Sequence, residues 1–355
     1  MNIVADENLA LTEYFFAEFG KIHHVAGRHL TQPDVQDAEV LLVRSVTQVN
    51  HALIENTELK FVGSATIGTD HLDQAALAAQ DIVWSNAAGC NAQAVAEYVI
   101  SAILHLQPQV LHQGAEFCLG IVGLGNVGSR LAAMATLMGW SVIGYDPLVQ
   151  HHHIEQADLA TVLSRADALS LHVPLTQTGP YPTHHLLNAT TLAQLKDRAL
   201  LINSARGPVI EEQALIADIQ GTGRAVVLDV FEHEPVISAT LLNLLQLATP
   251  HIAGYSLEGK ARGTQMIYNA FCDAFALPAD KDFRSQLPEA EPLLNSADLK
   301  AGLGLHLKQI YDIASDDAAL RACLKNGVVE QAAFDHLRKH YPLRREWAAH
   351  GGPQA

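Results

Sequence analysis

The stretch CLGIVGLGNVGSRLAAMATLMGWSVIGYD, residues 118–146, decides the fold. An apolar strand, LGIVG, runs into Gly-Leu-Gly-Asn-Val-Gly at 123–128; a helical pattern over 127–138 follows, and a second strand, SVIGYD, ends in an acid. In such a unit each glycine has its own task. Gly123 permits the tight turn, Gly125 lets backbone approach a pyrophosphate, and Gly128 allows the helix to pack close to the sheet. Glycines at this spacing also arise by chance, but here strand, turn, helix and strand come in the required order. The helix N-terminus then offers unpaired N–H groups and a partial positive charge to phosphates. Asn126 and Val127 complete the candidate turn. Asp146 is placed to accept hydrogen bonds from an adenosine ribose and to repel a 2′-phosphate, and no arginine or lysine follows at 147–150. The expected cofactor is NAD rather than NADP.

Upstream, β-branched runs at 2–5, 39–44, 60–66 and 82–84 alternate with helical stretches at 9–19 and 72–79, which reads as a first α/β domain of buried parallel strands. A long helix is expected over 92–106, with Val95, Val99, Ile103 and Leu106 on one side and Pro108 stopping it. Downstream of Asp146, further strands at ALSLHVP, ALLINSA and AVVLDVF continue a mostly parallel, doubly wound sheet. Residues 256–277 read as helix and 277–292 as a linker. Residues 296–347 read as two or three short helices without a chemical motif, as an oligomerisation module would.

Composition agrees with a buried enzyme. At 355 residues the chain is too long for one core, and with 49% apolar and 17% charged residues it is neither disordered nor fibrous. The formal charge of -16 repels nucleic acid and anionic membranes, so neither is an expected partner. An anionic substrate would need local cations to reverse that field. Cys90, Cys118, Cys272 and Cys323 show no close pairing and are expected to be reduced, structural thiols. No apolar run is long enough to cross a bilayer and MNIVADENLA lacks the basic start of a signal peptide, so a cytoplasmic location is expected.

Three segments end expected strands, where open parallel sheets bind ligands. LINSARGPVIE carries Arg206, VVLDVFEHEP carries Asp229 and Glu234, and TPHIAGYS carries His251. Oxidising a hydroxy acid needs a base for the hydroxyl proton, and histidine titrates in the useful range. A carboxylate bonded to it would hold its tautomer, which suits Glu234. An arginine would grip the substrate carboxylate through its planar fork, which suits Arg206. Singly, each has a bland alternative as a packed histidine, a solvated acid or a surface cation. Three of complementary type on strand-end loops do not.

Together GLGNVG, SARG, LDVFEHEP and TPHIAG resemble the D-isomer-specific 2-hydroxyacid dehydrogenases over nearly all of residues 1–280. The resemblance implies Arg206, Glu234 and His251 as the catalytic trio, with Asp229 near the nicotinamide carboxamide. Val173 and Gly254 complete the candidate cofactor contacts. The expected fold class is α/β, with a Rossmann-type NAD domain at 93–254 and a flavodoxin-like substrate domain at 1–92 plus 255–280. A small C-terminal α/β or helical dimerisation domain at 285–355 would make the protein a homodimer. VRSVTQVN at 43–50, TIGTDH at 66–71 and HIAGYSLEGKARGT at 251–264 resemble one branch of that family, and the resemblance implies a phosphorylated hydroxy acid as substrate. Phosphoglycerate dehydrogenases of the family carry a second basic residue near position 46, which here is Val46.

Arg44, Ser45, Thr66 and Tyr255 are the candidate substrate contacts, offering a cation and hydroxyls to an oxyanion. Lys260 and Arg262 are further phosphate candidates, with solvent-facing positions on a helix the equal alternative; Arg344 and Arg345 are candidates to reach a partner subunit. His71 either lines the substrate site or caps a helix. The run His151 to His153 reads as a solvated loop, and no metal is expected. Two rivals stay open: another short hydroxy acid on the same trio, and a non-catalytic NAD-sensing regulator.

Overall fold

The computed structural model describes residues 1–353. The chain divides into two compact units, Met1–Asn91 with Ser256–Glu289, and Ala92–Tyr255 with the C-terminal stretch from Ala290.

The first unit is a parallel sheet of β1 (Asn2–Asp6), β2 (Lys21–Val25), β3 (Val40–Val43), β4 (Phe61–Ser64) and β5 (Val83–Asn86), in the order β2-β1-β3-β4-β5. This is the flavodoxin-like order. Strands β3 and β4 are buried at every position, because helices cover both faces of the sheet and leave no solvated side to alternate toward. Strand β2, KIHHV, was not anticipated: at the sheet edge it is largely exposed and its two histidines break the apolar pattern. The expected helix over 9–19 is shorter, Thr12–Phe16 with a 3₁₀ turn after it. The helix Leu257–Ala274 returns to complete this unit, and its Ile267, Tyr268 and Phe271 pack with Phe15, Phe16 and Phe61. Gly63 in β4 permits that approach, since a Cβ there would stand 3.1 Å from Ile267.

The second unit is a seven-stranded parallel sheet. Its strands are β6 (Cys118–Val122), β7 (Ser141–Tyr145), β8 (Glu155–Gln156), β9 (Ala168–Leu171), β10 (Leu200–Asn203) and β11 (Val226–Leu228). After the short strand β12 (Ile237–Ser238), which lies elsewhere, comes the seventh, β13 (Leu247–Ala248). The order β13-β11-β10-β9-β6-β7-β8 reverses direction between β6 and β9, so the crevice beyond their carboxyl ends is the place where ligands of such sheets bind.

Residues 290–353 pack within this unit. Helices Leu299–Ile310 and Ile313–Ala322 follow one another, and a hairpin of β14 (Leu324–Lys325) and β15 (Val328–Val329) leads to the helix Gln331–Lys339, with β15 also pairing with β12. Asn326 and Gly327 take φ +50° and +85°, the conformation a two-residue hairpin turn demands. The Asp317 carboxylate accepts from the Ala248 amide at 2.8 Å, and Arg321 donates to the Leu242 and Leu245 carbonyls. The same segment explains a departure from the one-sided helix expected over 92–106. That helix is buried at every position from Ala92 to Leu104, because Leu299, Leu303, Tyr311 and Trp347 join the core around it.

Candidate active site

In the second unit the glycine turn is built as its residue types require. Gly123 has φ +92°, and a Cβ on it would stand 2.7 Å from the His172 backbone. Gly125 has open space where a Cβ would be, so ligand can approach there, and the helix Asn126–Leu137 begins immediately after it. A Cβ on Gly128 would stand 1.9 Å from the Gly123 carbonyl oxygen. Because that obstacle is backbone and not a side chain that can swing away, Gly128→Ala is expected to cost about 3 kcal/mol and to weaken NAD about tenfold or more. Thermal unfolding and a nucleotide fluorescence titration check this, and unchanged affinity would refute it.

Asp146 stands beyond β7, as expected, and has a second task. Its carboxylate accepts from the Leu124 amide of the glycine turn at 2.8 Å, and from the Leu148 and Val149 amides at 2.9 and 3.1 Å. His151 departs from the solvated loop expected for it: its Nε2 lies 2.8 Å from the Leu124 carbonyl, whereas His152 and His153 are exposed. The histidines that do gather beside a carboxylate are His184 and His185 with Glu232. Each offers a ligand atom within 4.8 Å of the others; the two rings stack at 3.9 Å with planes 28° apart, and His185 Nε2 meets Glu232 Oε1 at 2.5 Å. Open loop, glycine turn and acidic strand end fit the pyrophosphate and ribose of NAD.

Val173 follows β9 beside His172, whose Nε2 is 2.8 Å from Ser170 Oγ. Burial pushes the His172 imidazole down to about 3. The folded chain therefore refuses a proton that the unfolded chain takes up near pH 6.5, and stability is lost as pH falls from there toward 3. Melting temperatures measured from pH 7 to pH 5 should decline, and His172→Gln should flatten the decline; an unchanged slope would assign it to other groups.

The three loops after β10, β11 and β13 hold the trio. Arg206 follows β10, with its Nη1 donating to the Ala205 carbonyl at 2.8 Å. Gly207 lies so close to the next loop that a Cβ would stand 1.9 Å from the Phe231 oxygen, which brings the arginine's loop against the stretch bearing Glu234. Glu234 Oε1 is 2.9 Å from His251 Nδ1, and both side chains are partly exposed. His251 has φ +56°, a left-handed conformation that costs a non-glycine residue about 1 kcal/mol or more and here turns the ring toward the glutamate. With Nδ1–H donating to the carboxylate, Nε2 is the nitrogen left to exchange a proton with a ligand.

Asp229, a candidate cofactor contact, also holds the loop after β13. It is 1% exposed, and its carboxylate accepts from Thr249 Oγ1 at 2.6 Å and from the Ile252 and Ala253 amides at 2.8 and 2.9 Å. Burial pushes its carboxyl up against the opposing pull of His251 and these bonds. Gly254 lies on the same loop. Tyr255 packs edge-on against Tyr341, with the Arg338 guanidinium 5.9 Å from its ring centre.

In the first unit, Arg44 follows β3 and its Nε donates to buried Asp6 at 3.1 Å; Ser45 is exposed beside it. Thr66 Oγ1 is 2.9 Å from Ser64 Oγ, which also meets His71 Nε2 at 2.8 Å. His71 is thereby placed inside the unit and not at a helix cap, and burial lowers its pKa against the pull of Asp70. Lys260 is drawn to the same region: burial lowers its pKa and the neighbouring Arg44 charge lowers it further. Arg262 donates from Nη1 to the Cys90 carbonyl at 2.5 Å.

Fold and site together define a dinucleotide-dependent oxidoreductase in which a carboxylate-held histidine stands at the sheet's carboxyl edge. Residues 106–253 match the D-isomer specific 2-hydroxyacid dehydrogenase NAD binding domain, and residues 292–350 match a domain of unknown function. Over its full length the chain is 66% identical to the full-length erythronate-4-phosphate dehydrogenases of Acinetobacter baylyi and Acinetobacter baumannii. It is 47% identical to that of Psychrobacter cryohalolentis, covering 98% of this chain and 97% of the relative. The chain thus belongs to the D-isomer specific 2-hydroxyacid dehydrogenase family and groups there with the erythronate-4-phosphate dehydrogenases. It is an NAD-dependent 2-hydroxyacid dehydrogenase. The fold is shared with the D-lactate dehydrogenase of Aquifex aeolicus solved with NAD and lactic acid. That match has a TM-score of 0.62 at 22% identity, over 78% of this chain and 95% of that one. The NAD-dependent formate dehydrogenase of Staphylococcus aureus matches at 0.59 and 21%, over 79% and 97%.

Proposed function

We propose that the protein oxidises 4-phospho-D-erythronate at C2 to 2-oxo-3-hydroxy-4-phosphobutanoate, a step toward pyridoxal 5′-phosphate. The observation that carries the chemistry is the 2.9 Å pair of Glu234 and His251. His251 Nε2 takes the proton of the C2 hydroxyl. Glu234 keeps the ring in the Nδ1–H tautomer and offsets the charge of the imidazolium. Arg206 grips the C1 carboxylate and polarises the oxygen at C2. NAD, when bound, supplies the acceptor for the hydride that leaves C2. Gly123, Gly125, Asn126, Val127 and Gly128 hold its pyrophosphate and Asp146 its ribose, with Val173, Asp229 and Gly254 as further contacts.

Arg44, Ser45, Thr66 and Tyr255 bind substrate. Lys260, whose pKa burial and then the Arg44 charge lower, adds a second cation near Arg44 that suits a phosphorylated substrate. Residues 1–92 with 255–280 act as the substrate domain, 93–254 as the NAD domain, and 285–355 as the dimerisation domain of a cytoplasmic homodimer. The mass in solution, measured by light scattering, checks the last point. A substrate panel read by NADH absorbance tests the reaction. A preference for 4-phospho-D-erythronate is expected; a preference for 3-phosphoglycerate or glyoxylate chemistry would sink the substrate, and negligible turnover with every acid would favour an NAD-sensing regulator.

A further inference from the structure

Arg344 does not point outward to a partner, as its place near the C-terminus suggested. It is 9% exposed, and its guanidinium reaches the loop that follows His251. Nη1 donates to the Ile252 and Tyr255 carbonyls at 3.2 and 3.1 Å. Nη2 donates to the Ala94 carbonyl at 3.0 Å and also to that of Ala253. The cation lies 4.4 Å from the centre of the Tyr311 ring and 3.4 Å from the Tyr341 hydroxyl. Those two phenols each donate to Asp316 at 2.9 Å, so the charge is held in a connected polar network within the C-terminal segment.

The opposite edge of the same loop is held by a charge of opposite sign. Asp229 accepts from the Ile252 and Ala253 amides, and its backbone carbonyl accepts from the His251 amide at 2.8 Å. The loop's N–H groups are therefore gripped by a carboxylate and its carbonyls by a guanidinium. A five-donor planar fork is the one side chain able to serve so many carbonyls from a single point.

We infer that Arg344 is a positioning residue for His251: residues 290–353 are part of the catalytic machinery's support through this clamp, in addition to any role in assembly. The inference rests on His251 being the base. The left-handed His251 backbone needs its neighbours to over-determine it, and the peptides held by Arg344 and Asp229 are the ones directly after it. Arg344 reaches this loop through its backbone carbonyls, so its effect on His251 passes through the backbone.

The test compares Arg344→Lys and Arg344→Ala with the native dimer or monomer as purified, well below their melting temperatures. A misplacement near 1 Å costs about 100-fold in rate, so kcat should fall about 10- to 100-fold while KM for hydroxy acid and NAD stays within about threefold. Added guanidinium should restore part of kcat in the alanine variant, which a loss of global stability would not allow. If alanine prevents folding, lysine carries the test, since it keeps the charge but cannot span the carbonyls. Unchanged kcat in a folded variant, or a change in KM alone, overturns the inference. Near-native turnover of His251→Ala would instead overturn the assignment of the base, and the inference with it.

Discussion

His251→Ala is expected to retain NAD binding and to lose about two to four orders of magnitude in kcat, as loss of a general base does. The ring reaches the site from the loop after β13, while the candidate NAD contacts of the glycine turn come from the loop after β6, so the two functions separate cleanly. Glu234→Gln is the informative companion. A glutamine can still hydrogen-bond Nδ1, but it carries no charge to offset the imidazolium, so kcat should fall by less than in the alanine variant. Stopped-flow turnover with an independent nucleotide titration separates the two readouts. Near-native turnover of His251→Ala would remove the histidine from its assigned role.

Asp146→Ala is expected to raise KM for NAD about 10- to 100-fold, since hydrogen bonds to a charged group are worth about 1.5–3 kcal/mol. The loss has two sources. One is the ribose contact, and the other is the anchoring of the Leu124, Leu148 and Val149 amides, which ties the glycine turn to the end of β7. Leu148 is 77% exposed at that turn. Combining Asp146→Ala with Leu148→Arg removes the repulsion of a 2′-phosphate and supplies a cation for it, so preference should move toward NADP. Comparison of kcat/KM for both nucleotides decides, and an unchanged ratio would mean that the ribose is read elsewhere.

Most of the second unit's sheet was legible because its strands are short apolar runs and the later strand ends carry chemical residues; the polar two-residue strand β8 was not. The edge strand β2 was not, because an exposed strand containing two histidines has no apolar signature. The β14–β15 hairpin had a readable signal in Asn326-Gly327, which the helical patterns on both sides obscured. Lys260 could not be placed by sequence, since a helix position does not say which way it faces, and only the Arg44 charge beside it does.

What the amino-acid order determined by itself is the chemistry: a dinucleotide turn, an acid to read ribose, and an arginine, a glutamate and a histidine on successive strand ends. These depend on local backbone geometry and residue type, which spacing encodes. Tertiary structure alone decided that Asp229 and Arg344 serve the same loop from opposite edges. Arg344 lies 89 positions from Tyr255, and no periodicity relates them. The pairing arises because an irregular buried loop must find partners for its amides and carbonyls wherever the fold can bring them.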